Sequence, residues 1–254
     1  MRPHVVILFA AFLPLAAFAH HGGPAHDVGF DQHLGDRVPG QLMFVDDHAR
    51  RVTLGAHLQG KPVLLVLGYL GCRDLCPMTL AGLTRALAAS GMEPGRDYRA
   101  VFVSIDPEED AAALALGKLE RIPALERAAW TFLGGDAHSA GELARSVGFR
   151  YRSEPENTFA HPSGFVVLTP EGVLSRYFPG VRFDPLELKA AVAAASRGAT
   201  GSVADRLLLL CSHFDPRHGR YSALVLDLLK AITGFFAIAA AVWAWRRSRA
   251  RPES

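Results

Sequence analysis

Val63-Leu64-Leu65-Val66-Leu67 runs straight into Gly68-Tyr69-Leu70-Gly71-Cys72-Arg73-Asp74-Leu75-Cys76-Pro77, and this stretch decides the fold. An unbroken run of branched apolar side chains predicts a strand buried on both faces. From Leu75 to Ala89 the pattern changes period. Leu80, Leu83 and Leu87 recur at helical spacing, and Gly91 is placed to end the helix. A buried strand turning sharply into a helix is the building unit of a layered α/β domain. The turn itself holds two cysteines.

The same alternation continues downstream. Ala100 to Ile105 reads as a second buried strand, closed by Asp106-Pro107, with Asp106 expected to cap the next helix and Pro107 to start it. Ala111 to Glu120 reads as that helix and Trp130 to Leu133 as a short strand, while Asp136 caps a helix ending near Val147. Gly164 to Leu168 is a strand that Pro170-Glu171-Gly172 turns into another, Val173 to Phe178. Asp184-Pro185-Leu186-Glu187 then opens a final helix, with a capping carboxylate, proline in the first turn and glutamate three on. No internal repeat is present. The expected class is α/β, with a central mixed sheet covered by helices on both faces, over residues 38–197.

Composition bounds what this domain does. Of 254 residues, 50% are hydrophobic and 20% charged, which excludes wholesale disorder. A net charge of +2, without a basic stripe, excludes nucleic acid as the main partner. Much of the hydrophobicity lies at the two ends. Arg2 and His4, the apolar run from Val5 and the small-x-small pattern Ala17-Phe18-Ala19 predict a signal peptide over 1–19. A histidine-rich stretch, 20–37, follows as a flexible leader.

At the other end, 198–221 reads as a linker and 222–245 as a C-terminal transmembrane helix. At about 1.5 Å per residue that segment reaches far enough to cross a hydrocarbon core of about 30 Å. Trp243 and Trp245 suit the headgroup zone, and Arg246, Arg247, Arg249 and Arg251 make 246–254 a basic cytoplasmic tail. The expected location is a bacterial inner (cytoplasmic) membrane, with the soluble domain facing the periplasm.

Cys72 and Cys76 carry the chemistry. Two thiols four residues apart at a helix start lie on one side of the turn and can approach each other. The partial positive charge at the helix N-terminus is expected to lower their pKa and favour thiolate, the form that attacks disulfides and binds soft metals. A structural disulfide, a redox-active pair and copper binding all remain open on these residues alone. His161, directly before the strand Gly164 to Leu168, is placed where loops of such a sheet converge on the helix start. Met78 reads as core packing. Outside the domain, Cys211, His213, Asp215 and His218 form a cluster ahead of the apolar segment, and His20, His21, His26 and His33 stud the leader. Either group could contact copper.

Gly68 to Pro77, together with Val103-Ser104-Ile105-Asp106-Pro107-Glu108-Glu109-Asp110 and the later His161, resembles the site of the Sco/SenC family over roughly residues 38–195. Members of that family are thioredoxin-fold copper proteins that help assemble the CuA centre of cytochrome c oxidase. The resemblance implies a thioredoxin-like fold, copper as Cu(I) and/or Cu(II), and Cys72, Cys76 and His161 as metal ligands. It also implies Cys72 and Cys76 as a redox-active pair, and Asp74 as the acidic residue between them. The partners it implies are the CuA-bearing subunit of cytochrome c oxidase or another copper acceptor, and a thiol reductant protein. Arg73 stands where the family commonly has proline, Ala160 where it has an acid and Pro162 where it has serine, changes that bear on partner recognition and imidazole orientation. The resulting expectation is a membrane-anchored copper metallochaperone. The alternative is an exported thiol–disulfide oxidoreductase or peroxidase on the same fold, although a classical oxidoreductase would carry C-x-x-C.

Overall fold

A computed structural model describes residues 28–200, except 59 and 74, together with isolated helical positions between 230 and 243. Its centre is a seven-stranded mixed sheet. Gly29–Phe30 forms β1, Met43–Asp46 β2, Arg51–Thr53 β3, Val63–Gly68 β4 and Arg99–Ser104 β5. Trp130–Gly134 is β6, Phe149–Arg150 β7, Arg152–Glu154 β8, Thr158–Ala160 β9, Gly164–Leu168 β10 and Leu174–Pro179 β11. The helices are α1 (Leu75–Ser90), α2 (Ala111–Arg121), α3 (Ala137–Ser146) and α4 (Pro185–Ala195).

Strand order across the main sheet is β11-β10-β4-β5-β6-β2-β3. The central strands β4, β5 and β6 are parallel, and β10, β11, β2 and β3 complete the sheet antiparallel. Every residue of β4 is buried, as an unbroken apolar run requires. Alternate side chains feed two cores. On one face Leu64, Val66, Phe102 and Phe132 pack with α1, α2 and α4, through Leu83, Leu114 and Leu188. On the other, Leu65, Val101 and Val103 pack with Leu143 and Ala144 of α3 and with Phe149. Helices therefore cover both faces, three against one.

Three expectations need correction. The leader does not stay loose as far as residue 37. Gly29 and Phe30 pair with Arg150 and Phe149, Asp31 N–H donates to Gly148 O at 2.7 Å, and Phe30 packs edge-on against Phe149. Phe30 gives that short strand an apolar anchor that its polar surroundings hide. Asp106 does not cap α2. The helix begins four residues later, where Asp110 accepts from Ala113 N–H at 2.8 Å, and Asp106 instead accepts from Glu108 N–H within the preceding turn. Met78 is not core but 53% exposed on the first turn of α1.

Among the described residues no helix is long and apolar enough to cross a membrane. The expected spanning segment, 222–245, lies outside them apart from Lys230, Ile232, Thr233, Gly234, Phe236 and Trp243, which are helical and exposed. The signal peptide, the basic tail and the Cys211 cluster also lie outside the described residues.

Candidate metal centre

Sheet register brings the candidate ligands to one edge. Parallel pairing sets Gly68 opposite Ser104, so the loops leaving β4 and β5 emerge side by side. β10 runs the other way, with Leu168 opposite Val63. Its start at Gly164 therefore lies where β4 ends, and the loop before it delivers His161 over the start of α1.

Cys72 sits in the turn between β4 and α1, half-buried, and Cys76 is in the first turn of α1, buried; both are free thiols. One ligand atom from each of Cys72, Cys76 and His161 lies within 4.8 Å of the others. His161 Nε2 is 2.9 Å from Cys76 Sγ. The other ring nitrogen, Nδ1, is 2.9 Å from the Pro162 carbonyl oxygen, which can only accept. Nδ1 therefore carries the proton, and the Nε2 lone pair faces the thiols. This is the tautomer a metal site needs, set here by a backbone carbonyl rather than by a side-chain acid at position 160.

The imidazole is also gripped by rings. Phe149 stacks on it at 5.8 Å and 29°, and Tyr69 meets it edge-on at 5.7 Å. Phe159 in turn packs against Tyr69, and Tyr151 against Phe149. The site thus has an apolar wall on the α3 side, with a small cleft below it lined by Val66, Phe102, Thr79, Cys76, His161 and Gly164. Tyr69 was visible within the cysteine loop. Phe149 and Phe159 carried no local signal, because only the folding of the β7–β9 segment brings them to His161.

One electrostatic expectation is reversed for Cys76. Its thiol is pushed up rather than down, first by its hydrogen bond with the Cys72 sulfur and then by burial. Both disfavour the buried anion, and together they outweigh the lowering contact from the Tyr69 backbone. The metal-free reduced pair is therefore held as a hydrogen-bonded sulfur pair, and a cation entering the site has to displace a proton. Asp74 lies outside the described residues. His33 is not a loose leader histidine, since its Nδ1 lies 3.2 Å from the Ser146 carbonyl oxygen.

A family model described as SCO1/SenC matches residues 31–197. The chain is 29% identical over 143 residues to the mitochondrial SCO2 homolog of Bos taurus, covering 54% of this chain and 52% of that protein. It thus spans about half the length of the curated relatives it matches. Among solved structures, Arabidopsis thaliana ScoI with copper bound is 25% identical at a TM-score of 0.54, covering 63% of this chain and 99% of the other. BsSco, a member of the Sco family of cytochrome c oxidase assembly proteins, is 23% identical at a TM-score of 0.54, covering 66% and 98%, and bears on the fold alone. The mixed α/β sheet described above is that of these thioredoxin-like structures.

Proposed function

The chain belongs to the SCO1/SenC family, and we propose that it is a membrane-anchored copper metallochaperone. In this reading Cys72, Cys76 and His161 bind copper and pass it to the CuA site of a cytochrome c oxidase, or reduce that site's cysteines beforehand. The observation that carries the proposal is the convergence of two thiols and one correctly protonated imidazole within 4.8 Å. The copper-bound relative on the same fold supports it.

The donor chemistry fits. Two thiolates and one neutral imidazole form a soft, low-coordinate set suited to Cu(I), whereas structural zinc sites are closed by four ligands. Joining Cys72 and Cys76 as a disulfide, with loss of two electrons and two protons to an oxidant, removes both thiolate ligands. Copper loading is thereby tied to redox state. Low coordination at the rim of a half-buried site also leaves room for an incoming ligand, as transfer by exchange requires. The signal peptide, the 222–245 span and the arginine-rich tail read from the sequence support export and anchoring, with the site outside the cytoplasm.

An anaerobic Cu(I) titration of the reduced 254-residue chain, in competition with a chromophoric chelator, tests the reading. One tight equivalent is expected, weakened in His161→Ala and abolished in Cys72→Ser with Cys76→Ser. Binding indifferent to His161 would move the pair to the second reading, an exported thiol–disulfide oxidoreductase or peroxidase, which the adjacency of the two sulfurs also supports.

A further inference from the structure

The turn that carries Cys72 is braced largely from outside itself. Among the described residues its own backbone closes weakly between β4 and α1, Cys72 N–H donating to Tyr69 O at 3.4 Å, and the Tyr69 backbone also bonds the Cys76 sulfur. Its central residues are held from outside by the segment that leads into and through α2. Glu109 Oε1 accepts from Leu70 N–H at 2.5 Å and from Gly71 N–H at 3.1 Å, while Glu109 Oε2 accepts from Ser104 Oγ at 2.7 Å. Arg121 Nη2, from the far end of α2, donates to Leu70 O at 3.0 Å. The Leu70 side chain rests on α2 at Gly117, where a Cβ would lie 2.6 Å from its Cδ2. Both polar groups of the Leu70 backbone, the Gly71 N–H and the Leu70 side chain are thus all taken by one neighbouring segment.

The geometry points to Glu109, seconded by Arg121, as a positioning residue that fixes the Tyr69–Cys72 turn in the shape the three-ligand site requires. Glu109 is no ligand. It acts by seizing two successive N–H groups immediately before Cys72, and a carboxylate is the side chain that can accept both while its second oxygen is tied to β5 through Ser104. Without it those two N–H groups have only solvent, the turn opens, and Cys72 loses its fixed distance from Cys76 and His161. The inference rests on the copper reading for its consequence, though not for its geometry.

The test uses the full chain as wild type, Glu109→Ala, Glu109→Gln and, as a comparator, Asp47→Asn, which breaks a buried ion pair between α2 and the β2–β3 hairpin (Lys118 Nζ to Asp47 Oδ2, 2.6 Å). Hydrogen–deuterium exchange across residues 69–72 of the reduced, metal-free protein is read beside Cu(I) affinity. Glu109→Ala should speed exchange there at least about tenfold, as loss of hydrogen bonds to a charged acceptor predicts. It should also weaken Cu(I) binding by about 10- to 100-fold, as loss of an orienting outer partner does. Glu109→Gln keeps one acceptor oxygen and should fall between. Asp47→Asn should lower the melting temperature without either change. Wild-type exchange and affinity in Glu109→Ala would overturn the proposal, as would an equal loss of affinity in Asp47→Asn. Should the wild type bind no Cu(I), the copper reading fails by itself. The Cys72–Cys76 disulfide equilibrium against glutathione then replaces affinity as readout, and a constant shared by wild type and Glu109→Ala overturns the positioning role.

Discussion

Replacing Gly148 by alanine tests whether the N-terminal strand is an integral part of the domain. Gly148 sits between α3 and β7 at φ +62°, in the left-handed region that favours glycine. Its backbone also touches the leader, where an added Cβ would lie 1.8 Å from Asp31 O. No side-chain rotation relieves that contact, because both partners are backbone, so the leader has to move away. Moving it breaks the Asp31 N–H to Gly148 O bond at 2.7 Å and lifts Phe30 from Phe149 and Tyr177. The left-handed conformation costs about 1–2 kcal/mol for alanine. A lost hydrogen bond adds about 1 kcal/mol, and re-exposing a half-buried phenylalanine about 1 kcal/mol more. Alanine also restricts the unfolded chain, which offsets about 0.5 kcal/mol. The expected net loss is about 3 kcal/mol, or a melting temperature lower by about 6–12 °C for a domain of this size.

Denaturant titration measures the energy, and limited proteolysis across residues 28–37 measures whether the strand is released. Gly148→Asn separates the two causes, because asparagine tolerates positive φ but carries the same Cβ. It should escape most of the left-handed cost and keep the rest, leaving a loss of about 1–2 kcal/mol. Recovery by asparagine would show that backbone strain, not contact with the leader, was decisive. A loss below about 1 kcal/mol with unchanged proteolysis would refute the reasoning outright. Since Phe149 stacks on His161, a released leader should also weaken copper binding, though less than His161→Ala does.

Burial pushes the Glu126 carboxyl up, only partly offset by the neighbouring Trp130 indole. A carboxyl whose folded pKa is raised gives stability that is present at low pH and lost as pH rises through the folded value. Glu126→Gln should therefore raise the urea midpoint at pH 7, with the gain vanishing below about pH 4. An equal gain at both pH values would show that charge is not the cause. Asp110→Ala removes the α2 cap and should cost about 1 kcal/mol in thermal unfolding, whereas Asp106→Ala, which loses only a turn contact, should cost less. Alkylation of the reduced protein, mapped by mass spectrometry, should label half-buried Cys72 before Cys76, whose thiol is buried and pushed up. The reverse order would contradict the arrangement of the pair.

Much of the fold is legible because its signals are local and redundant. β4 announces itself by continuous hydrophobicity, and Asp136 and Asp184 cap their helices as read, each accepting from backbone N–H groups of the first turn. The β2–β3 hairpin is silent for a physical reason. Its strands are too short to show a period, and its turn contains no glycine. Asp46 organises it instead, fully buried, accepting from His48 N–H and Arg50 N–H and pairing with the Arg50 guanidinium. Such a turn depends on one side chain being driven inside, which neighbouring residues in the sequence do not disclose. The β8–β9 hairpin is hidden likewise, its turn passing through Glu156 at φ +62°.

At the site, spacing alone identifies the two sulfurs and leaves their roles open. The third candidate ligand emerges only with topology, since it is the antiparallel return of β10 that brings a residue 85 positions away from Cys76 to 2.9 Å. The protonation reading failed for a related reason. A helix N-terminus is visible in sequence, whereas burial and a second sulfur are properties of the assembled site, and for Cys76 they set the direction. That balance bears on function. Cys76, buried and hydrogen-bonded to the Cys72 sulfur, holds its proton, and a thiophilic cation entering the site would have to displace it. The His161 Nε2 lone pair, aimed by the Pro162 carbonyl and walled by Phe149 and Tyr69, adds a neutral donor without adding charge. The arrangement sets an imidazole lone pair beside both sulfurs, a donor that soft-cation binding uses and thiol–disulfide exchange does not require, and on this feature, rather than on the spacing of the cysteines, the two functional readings differ.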